Sequence, residues 1–360
     1  MNVVMPVVMP EVLNKAARGE KLFREDILSL LNLEPEEDAL LFKLADQVRH
    51  QYLGDEVHLR GIIEFSNYCV KNCLYCGLRK DNQRLHRYRL SSSEICEAGN
   101  QAVKMGLKTI VLQSGEDPFY TGEILAKIID RLKAETGVAV TVSIGDRSKE
   151  DYRLMKQAGA DRYLLKHETA DANLFSRLRP GTTLAGRIKR LYWLKELGFQ
   201  VGAGNMVGLP GQTCGTLADD ILLMRELDVE MAGIGPFIPH HQTPLKDWAG
   251  GEVKTTLKVL AVTRLVLPLA HLPATTALAS IHPQGRQMAL SCGANVVMPN
   301  ITPVKYKEYY QIYPNKICLT EEATECVSCI SNTIRQLGRM VAQNYGHSLK
   351  YKERVNNSES

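Results

Sequence analysis

Eight short apolar stretches alternate with helical stretches across most of this 360-residue chain, and that alternation leaves few folds open. The strand candidates are 57–65, 109–113, 139–144, 162–166, 200–207, 231–237, 273–278 and 295–298. Between them, 93–105, 121–135, 148–158, 184–197, 216–227, 254–266 and 284–291 have the apolar spacing of helices. Strands joined by helical crossovers run parallel. Eight such pairs are expected to close into an α/β fold of the (β/α)₈ TIM-barrel type, and an open doubly wound sheet is the alternative. Residues 10–50 add two or three helices, with helical spacing over 23–31 and 39–45. The expected organisation is an N-terminal helical segment (1–50), a barrel (51–310) and a C-terminal extension (311–360). The polar stretch 351–360 reads as frayed.

A barrel puts its chemistry at the C-terminal ends of its strands. There, after the first candidate strand, stand Cys69, Cys73 and Cys76 in the run CVKNCLYC. Three thiolates on one loop can each ligate an iron of a [4Fe–4S] cube. No fourth cysteine lies nearby, so one iron is left open. Zinc is the second reading, but zinc sites close with four ligands, and His86 has no partner at zinc spacing. Polar residues recur at the other strand ends: 113–118, Ser143 with Gly145 and Asp146, 167–169, Gly204 with Asn205, 236–239, and Thr275 with Thr276. Singly, each reads as a turn or a helix cap.

Composition narrows the rest. At 44% hydrophobic and 23% charged residues the chain is an ordinary globular protein. A net charge of +4 without a basic tract interleaved with aromatics argues against nucleic acid. No run of about 18 apolar residues suggests a membrane span, and the first fifteen residues lack the pattern of a signal peptide. Nine cysteines in such a chain fit thiols and metal in a reducing cytoplasm.

The cysteine loop with Tyr75 before its third cysteine resembles the radical S-adenosylmethionine (SAM) superfamily. Within it, FSNYCVKNCLYCGLRKDN, TIVLQSGEDP, DRYLLKHETA, GNMVGLPGQT and GIGPFIPH are most similar to the HydE family of [FeFe]-hydrogenase maturases. The likeness spans about residues 50–320. It implies an enzyme in which the open iron chelates SAM, and one electron cleaves SAM to methionine and a 5′-deoxyadenosyl radical. It implies a small substrate, either a cysteine-bound iron precursor bearing CO and cyanide or another amino-acid-derived molecule. It also implies an electron donor such as ferredoxin or flavodoxin, and other hydrogenase maturases as partners. By position, Tyr75, Gln113, Ser114, Gly115, Ser143, Glu168, Arg187 and Met231 match cofactor-binding residues. Arg162, Lys166, Thr275, Thr276, Met298 and Tyr310 match groups around a substrate cavity. Arg162 and Lys166 share a face of the fourth strand, so both are expected to point inward, where they suit an anionic ligand. The family pattern has Arg at the position of Lys166, and lysine lacks the bidentate fork.

A second group, Cys318, Cys326 and Cys329, resembles the accessory iron–sulfur site of some HydE proteins. A second cluster is expected there, outside the barrel interior. Cys96, Cys214 and Cys292 read as structural. Biotin synthase-like and methylornithine synthase-like enzymes are the rivals within the fold. An iron–sulfur electron-transfer or carrier protein is the rival outside enzymology.

Overall fold

The computed structural model describes residues 9–351; the stretch read above as frayed lies outside them, apart from Tyr351, and so do the first eight residues of the leader reading. Among the described residues there are ten strands: β1 (Glu56–Ser66), β2 (Thr109–Ser114), β3 (Ala139–Ser143), β4 (Arg162–Leu164), β5 (Gln200–Ala203), β6 (Met206–Val207), β7 (Met231–Ala232), β8 (Gly235–Pro236), β9 (Val296–Val297) and β10 (Met340–Val341). β1, β2, β3, β4, β5 and β7 pair in that order, all parallel. β9 returns to β1 at His58 and Leu59. Single parallel bridges, Met231 to His271 and Pro273 to Val296, complete the ring, so the barrel closes.

The crossover helices begin where short polar side chains cap them. Ser91 accepts from the Glu94 N–H to start Ser92–Lys104, and Ser148 does the same through Asp151 for Lys149–Gln157. Thr121 caps Gly122–Thr136, which Gly137 ends in the left-handed region at φ 64°. Leu125, Ile128, Ile129 and Leu132 of that helix are buried in the core.

Two strand candidates differ from expectation. The stretch 200–207 is broken at Gly204 (φ 154°), where a Cβ would lie 2.1 Å from the Gly233 carbonyl oxygen. The stretch 231–237 is interrupted alongside it. The outer halves, β6 and β8, pair separately at the mouth. The seventh candidate, 273–278, is mostly helix: Thr275 caps Thr276–Ile281, leaving only the bridges at His271 and Pro273.

Helices Arg24–Leu31 and Asp38–Leu53 pack on the outer helix Val253–Val266, where Lys254 and Lys258 each lie 2.9 Å from Asp38. At the other terminus, β10 pairs with the start of β1, and residues 345–348 reach the N-terminal end of the barrel. There Arg60 donates to the Gly346 carbonyl and Arg162 to that of Tyr345.

Candidate active site

A cavity of about 360 Å³ opens at the C-terminal ends of the strands, within the size range of cofactor pockets. Cys69, Cys73 and Cys76 all line it. Their loop is held by main-chain bonds from three directions. Val70 N–H donates to the Glu116 carbonyl, Leu74 N–H to Leu178 and Gly77 N–H to Ile312. Gly77 is required by close approach, since a Cβ there would sit 2.0 Å from the Gln311 carbonyl oxygen. Arg87 gathers the carbonyls of Asn67, Leu78, Arg79 and Asn82, so one guanidinium stitches the loop's two arms together. The Glu116 N–H points at Cys69 Sγ at 3.4 Å.

Strands β2 to β4 furnish the adjoining wall. Gln113, Ser114, Gly115 and Ser143 line it. A Cβ on Gly115 would meet the Tyr68 carbonyl oxygen at 2.2 Å, so only glycine lets β2 pass the cysteine loop. Glu168 stands at φ 66°, a strained backbone for a non-glycine residue, and is held there by its N–H on the Gly204 carbonyl and its own carbonyl under the Met206 N–H. Burial pushes the Glu168 carboxyl up, but Lys166, Arg179 and Arg187 outweigh it and hold it below its ordinary value. Lys166 Nζ lies 3.6 Å from its Oε2. Tyr75 OH accepts from Arg179 Nη1 at 2.9 Å. Arg187 faces Asp146 at 3.3 Å, with Arg190 at 3.7 Å from the same carboxylate.

The rest of the cavity comes from Thr275, Thr276, Met298, Asn300, Tyr310 and their neighbours. Glu64 is buried there between Lys316 and the Asn300 amide. Of the side chains lining the whole cavity, six are cationic (Lys71, Lys166, Arg179, Arg187, Arg286 and Lys316) and three are carboxylates (Glu64, Glu116 and Glu168). The surplus favours an anionic or carboxylate-bearing ligand.

Two expected site residues lie elsewhere. Arg162 is on the inward face of β4 but at its N-terminal end, two residues below Leu164 and four below Lys166, which do line the cavity. Its guanidinium instead meets Tyr345 and His347. Met231 opens β7 in register with Gly202, but its sulfur turns away from the cavity wall and accepts from Arg60 Nη1 at 3.0 Å. The methionine on the cavity wall beside Glu168 is Met206. Thr275 and Thr276 do line the cavity, from a helix start in place of a strand. The second cysteine group is not wholly outside: Cys318 lines the cavity, Cys326 is buried against it and Cys329 is exposed. Sequence reasoning missed Arg179 and Glu64, and had Glu116 only as part of the polar strand end 113–118. Arg179 falls in a loop without periodicity.

Residues 63–224 match the radical SAM superfamily. The [FeFe]-hydrogenase maturase subunit HydE of Thermotoga maritima is 51% identical over 337 residues, 93% of this chain and 96% of that one. The chain belongs to the HydE family. A more distant relative of this HydE-family chain is the 3-methylornithine synthase of Methanosarcina acetivorans, 32% identical over 79% of the chain and 81% of the relative. Among solved structures, methylornithine synthase PylB superposes with a TM-score of 0.82 at 27% identity, covering 92% of this chain and 97% of that one. HydG, a maturase of the [FeFe]-hydrogenase, also superposes at 0.82; at 20% identity it shares the fold.

HydE-family membership makes this chain a radical SAM enzyme of hydrogenase maturation and implies a [4Fe–4S] cluster and SAM. The donor set fits the cluster. Three cysteines on one loop face one cavity, main-chain N–H groups point at the Cys69 and Cys76 sulfurs, and of the other six cysteines Cys318 alone lines the same cavity. Burial pushes the metal-free Cys69 thiol up to about 11, and those of Cys73 and Cys76 up as well. Such thiols stay protonated at neutral pH until a metal cation displaces the protons. No helix among the described residues is long and apolar enough to cross a membrane.

Proposed function

We propose that the 51–310 barrel binds SAM and a small cysteine-derived or organometallic substrate in one cavity, with 1–50 and 311–360 as its supports, in the cytoplasm. The carrying observation is the set of three cysteines, a held carboxylate at Glu168 and a cationic surplus on one enclosed wall. When bound, the cluster supplies an open iron for the amino-acid end of SAM and the electron that cleaves its C–S bond. Gln113, Ser114, Gly115 and Ser143 border the methionine end with small side chains and main-chain groups. The ionised Glu168 accepts hydrogen bonds from SAM, each stronger than a neutral one. Arg187 and Arg190 share the single Asp146 carboxylate, so Arg187 retains charge for the carboxylate of SAM. Arg179 orients the Tyr75 hydroxyl and offsets Glu116 across 3.6 Å.

Lys166, Thr275, Thr276, Met298 and Tyr310 bound the substrate side. Lys166, with one ammonium, takes a carboxylate at a single point where a guanidinium would take two. Buried Tyr310 and the apolar wall keep water from a radical. A biotin synthase-like reading needs cysteine ligands of an internal cluster on later strands, and Cys96, Cys214 and Cys292 are absent from the cavity wall. We read Cys318, Cys326 and Cys329 as the seat of a second cluster, dispensable for SAM cleavage.

Changing any one of Cys69, Cys73 and Cys76 to Ala should abolish the site-open cluster and all 5′-deoxyadenosine formation after anaerobic reconstitution. A Cys326→Ala, Cys329→Ala protein should lose iron yet keep cleaving SAM. Continued cleavage by a protein lacking all three loop cysteines would end the radical reading.

A further inference from the structure

We propose that the outer face of the cysteine loop is the docking surface for an acidic one-electron carrier protein, a reading that rests on the radical SAM chemistry above. Residues 68–89 hold six cationic side chains against one carboxylate, Asp81, a net +5 where the whole chain carries +4. The rest of the molecule therefore carries a net −1, and even with Glu116 and Asp117, which pair with Lys71 and Arg89, counted in, this loop keeps a positive surplus.

Some of these cations are committed inward. Arg87 holds carbonyls, Arg89 faces Asp117 at 2.7 Å, and Lys71 faces Glu116. Lys80 and Arg84 are exposed and make no ion pair among the described residues. Beside them stand two exposed apolar side chains, Val70 at 52% and Phe119 at 54% of their full surface. Contacts tie the group together, with Arg84 four residues beyond Lys80 in the same loop. Lys80 N–H bonds the Lys71 carbonyl, and Val70 N–H bonds the Glu116 carbonyl. The Arg89 guanidinium lies 3.8 Å from the Tyr68 ring centroid and 4.7 Å from that of Phe119. An apolar spot rimmed by uncommitted cations is the complement of an acidic protein surface with an apolar centre.

The position selects an electron carrier among acidic proteins. Cys69 lines the cavity while Val70, the next residue, faces out. An electron can thus enter by the loop backbone without opening the water-excluding cavity. The step is a bare electron transfer: a flavin hydroquinone anion becomes a neutral semiquinone, the cluster gains that electron, and no proton moves.

The test uses flavodoxin as the probe. By calorimetry, its Kd for the reconstituted protein should weaken with rising NaCl, because the screening length shortens from about 10 Å at 0.1 M to about 3 Å at 1 M. Lys80→Glu with Arg84→Glu should weaken Kd about tenfold or more at low salt, as expected when two attractions become two repulsions. Flavodoxin-driven formation of 5′-deoxyadenosine should fall with it. Turnover driven by photoreduced 5-deazaflavin, a small neutral reductant, should match wild type, which also shows that the variant is folded and loaded. Salt-independent binding, or a variant that binds flavodoxin like wild type, overturns the surface. Wild-type protein that makes no 5′-deoxyadenosine even with deazaflavin overturns the radical reading, and this proposal with it.

Discussion

Both ends of the barrel bury arginines, and they satisfy them differently. At the mouth, Arg179 and Arg187 face carboxylates, Glu116 and Asp146, at 3.3–3.6 Å, with the cavity beside them. At the closed end, Arg60, Arg162, Arg264 and Arg339 face mostly main-chain carbonyls. Arg264 alone donates to the carbonyls of Gly293, Leu267, Pro268 and Ala270 and to Asn295 Oδ1. Its burial, near Arg49 and Arg339, lowers its pKa to about 9. A carbonyl neutralises no charge but is bound for as long as the fold lasts. A carboxylate in a pocket can share its cation with an arriving ligand. The mouth therefore keeps electrostatic capacity for binding, and the closed end uses its cations as fasteners.

The sharpest way to break this contrast is Arg264→Met. It leaves a set of buried carbonyls without donors and should cost on the order of 4 kcal/mol of stability, read by urea unfolding. The folded fraction should bind SAM with unchanged Kd; a large loss of SAM affinity would mean that the two ends are not separate. At the mouth, Glu168→Gln should do the reverse. It should weaken SAM binding by about 1.5–3 kcal/mol in calorimetry, with iron content and stability near wild type. Unchanged affinity would make Glu168 a structural residue like those below.

A smaller effect should come from His347 at the closed end. Its Nδ1 receives both Arg162 Nη2 (3.0 Å) and Gln200 Nε2 (2.7 Å), while Gln200 Oε1 takes the Ser348 N–H. Two donors on one nitrogen require it to be unprotonated. Burial first, then Arg162, moves the ring from 6.5 to about 4; Lys133 and Arg60 add to the lowering and Asp161 opposes it. The unfolded chain therefore takes up a proton that the folded one refuses, so stability should fall as pH drops from about 6.5 toward about 4. His347→Gln should flatten part of that slope, and an unaltered slope would locate the titration elsewhere.

The helices were legible because their caps and apolar faces are local. The long strands β1 to β3 were legible because their apolar runs are continuous. The seventh strand was not, since a capping threonine and helix-forming residues follow Pro273 within two positions. Arg162 shows a different limit. Alternation along a strand says which face a side chain takes. It is silent on height, which depends on how far each strand is sheared along the barrel axis. Arg162 and Lys166 share a face, yet one fastens the floor and the other lines the cavity. Arg179 was hidden because its partners Tyr75 and Glu116 are remote in sequence, and only the fold assembles them.

The loop near residue 70 leans on Ile312, and Asn67 beside it donates to the Tyr309 carbonyl. The first barrel strand is in turn bordered by residues 340 and 341. A nascent chain emerges from its N-terminus, so the cysteines leave the ribosome long before the segments that brace them. At about 5–20 residues per second, that interval lasts on the order of ten seconds or more. During it the loop can gain its bonds to Glu116 and Leu178 but lacks those to Ile312 and Tyr309. The cysteine loop is thus fully braced only once residue 312 has been made.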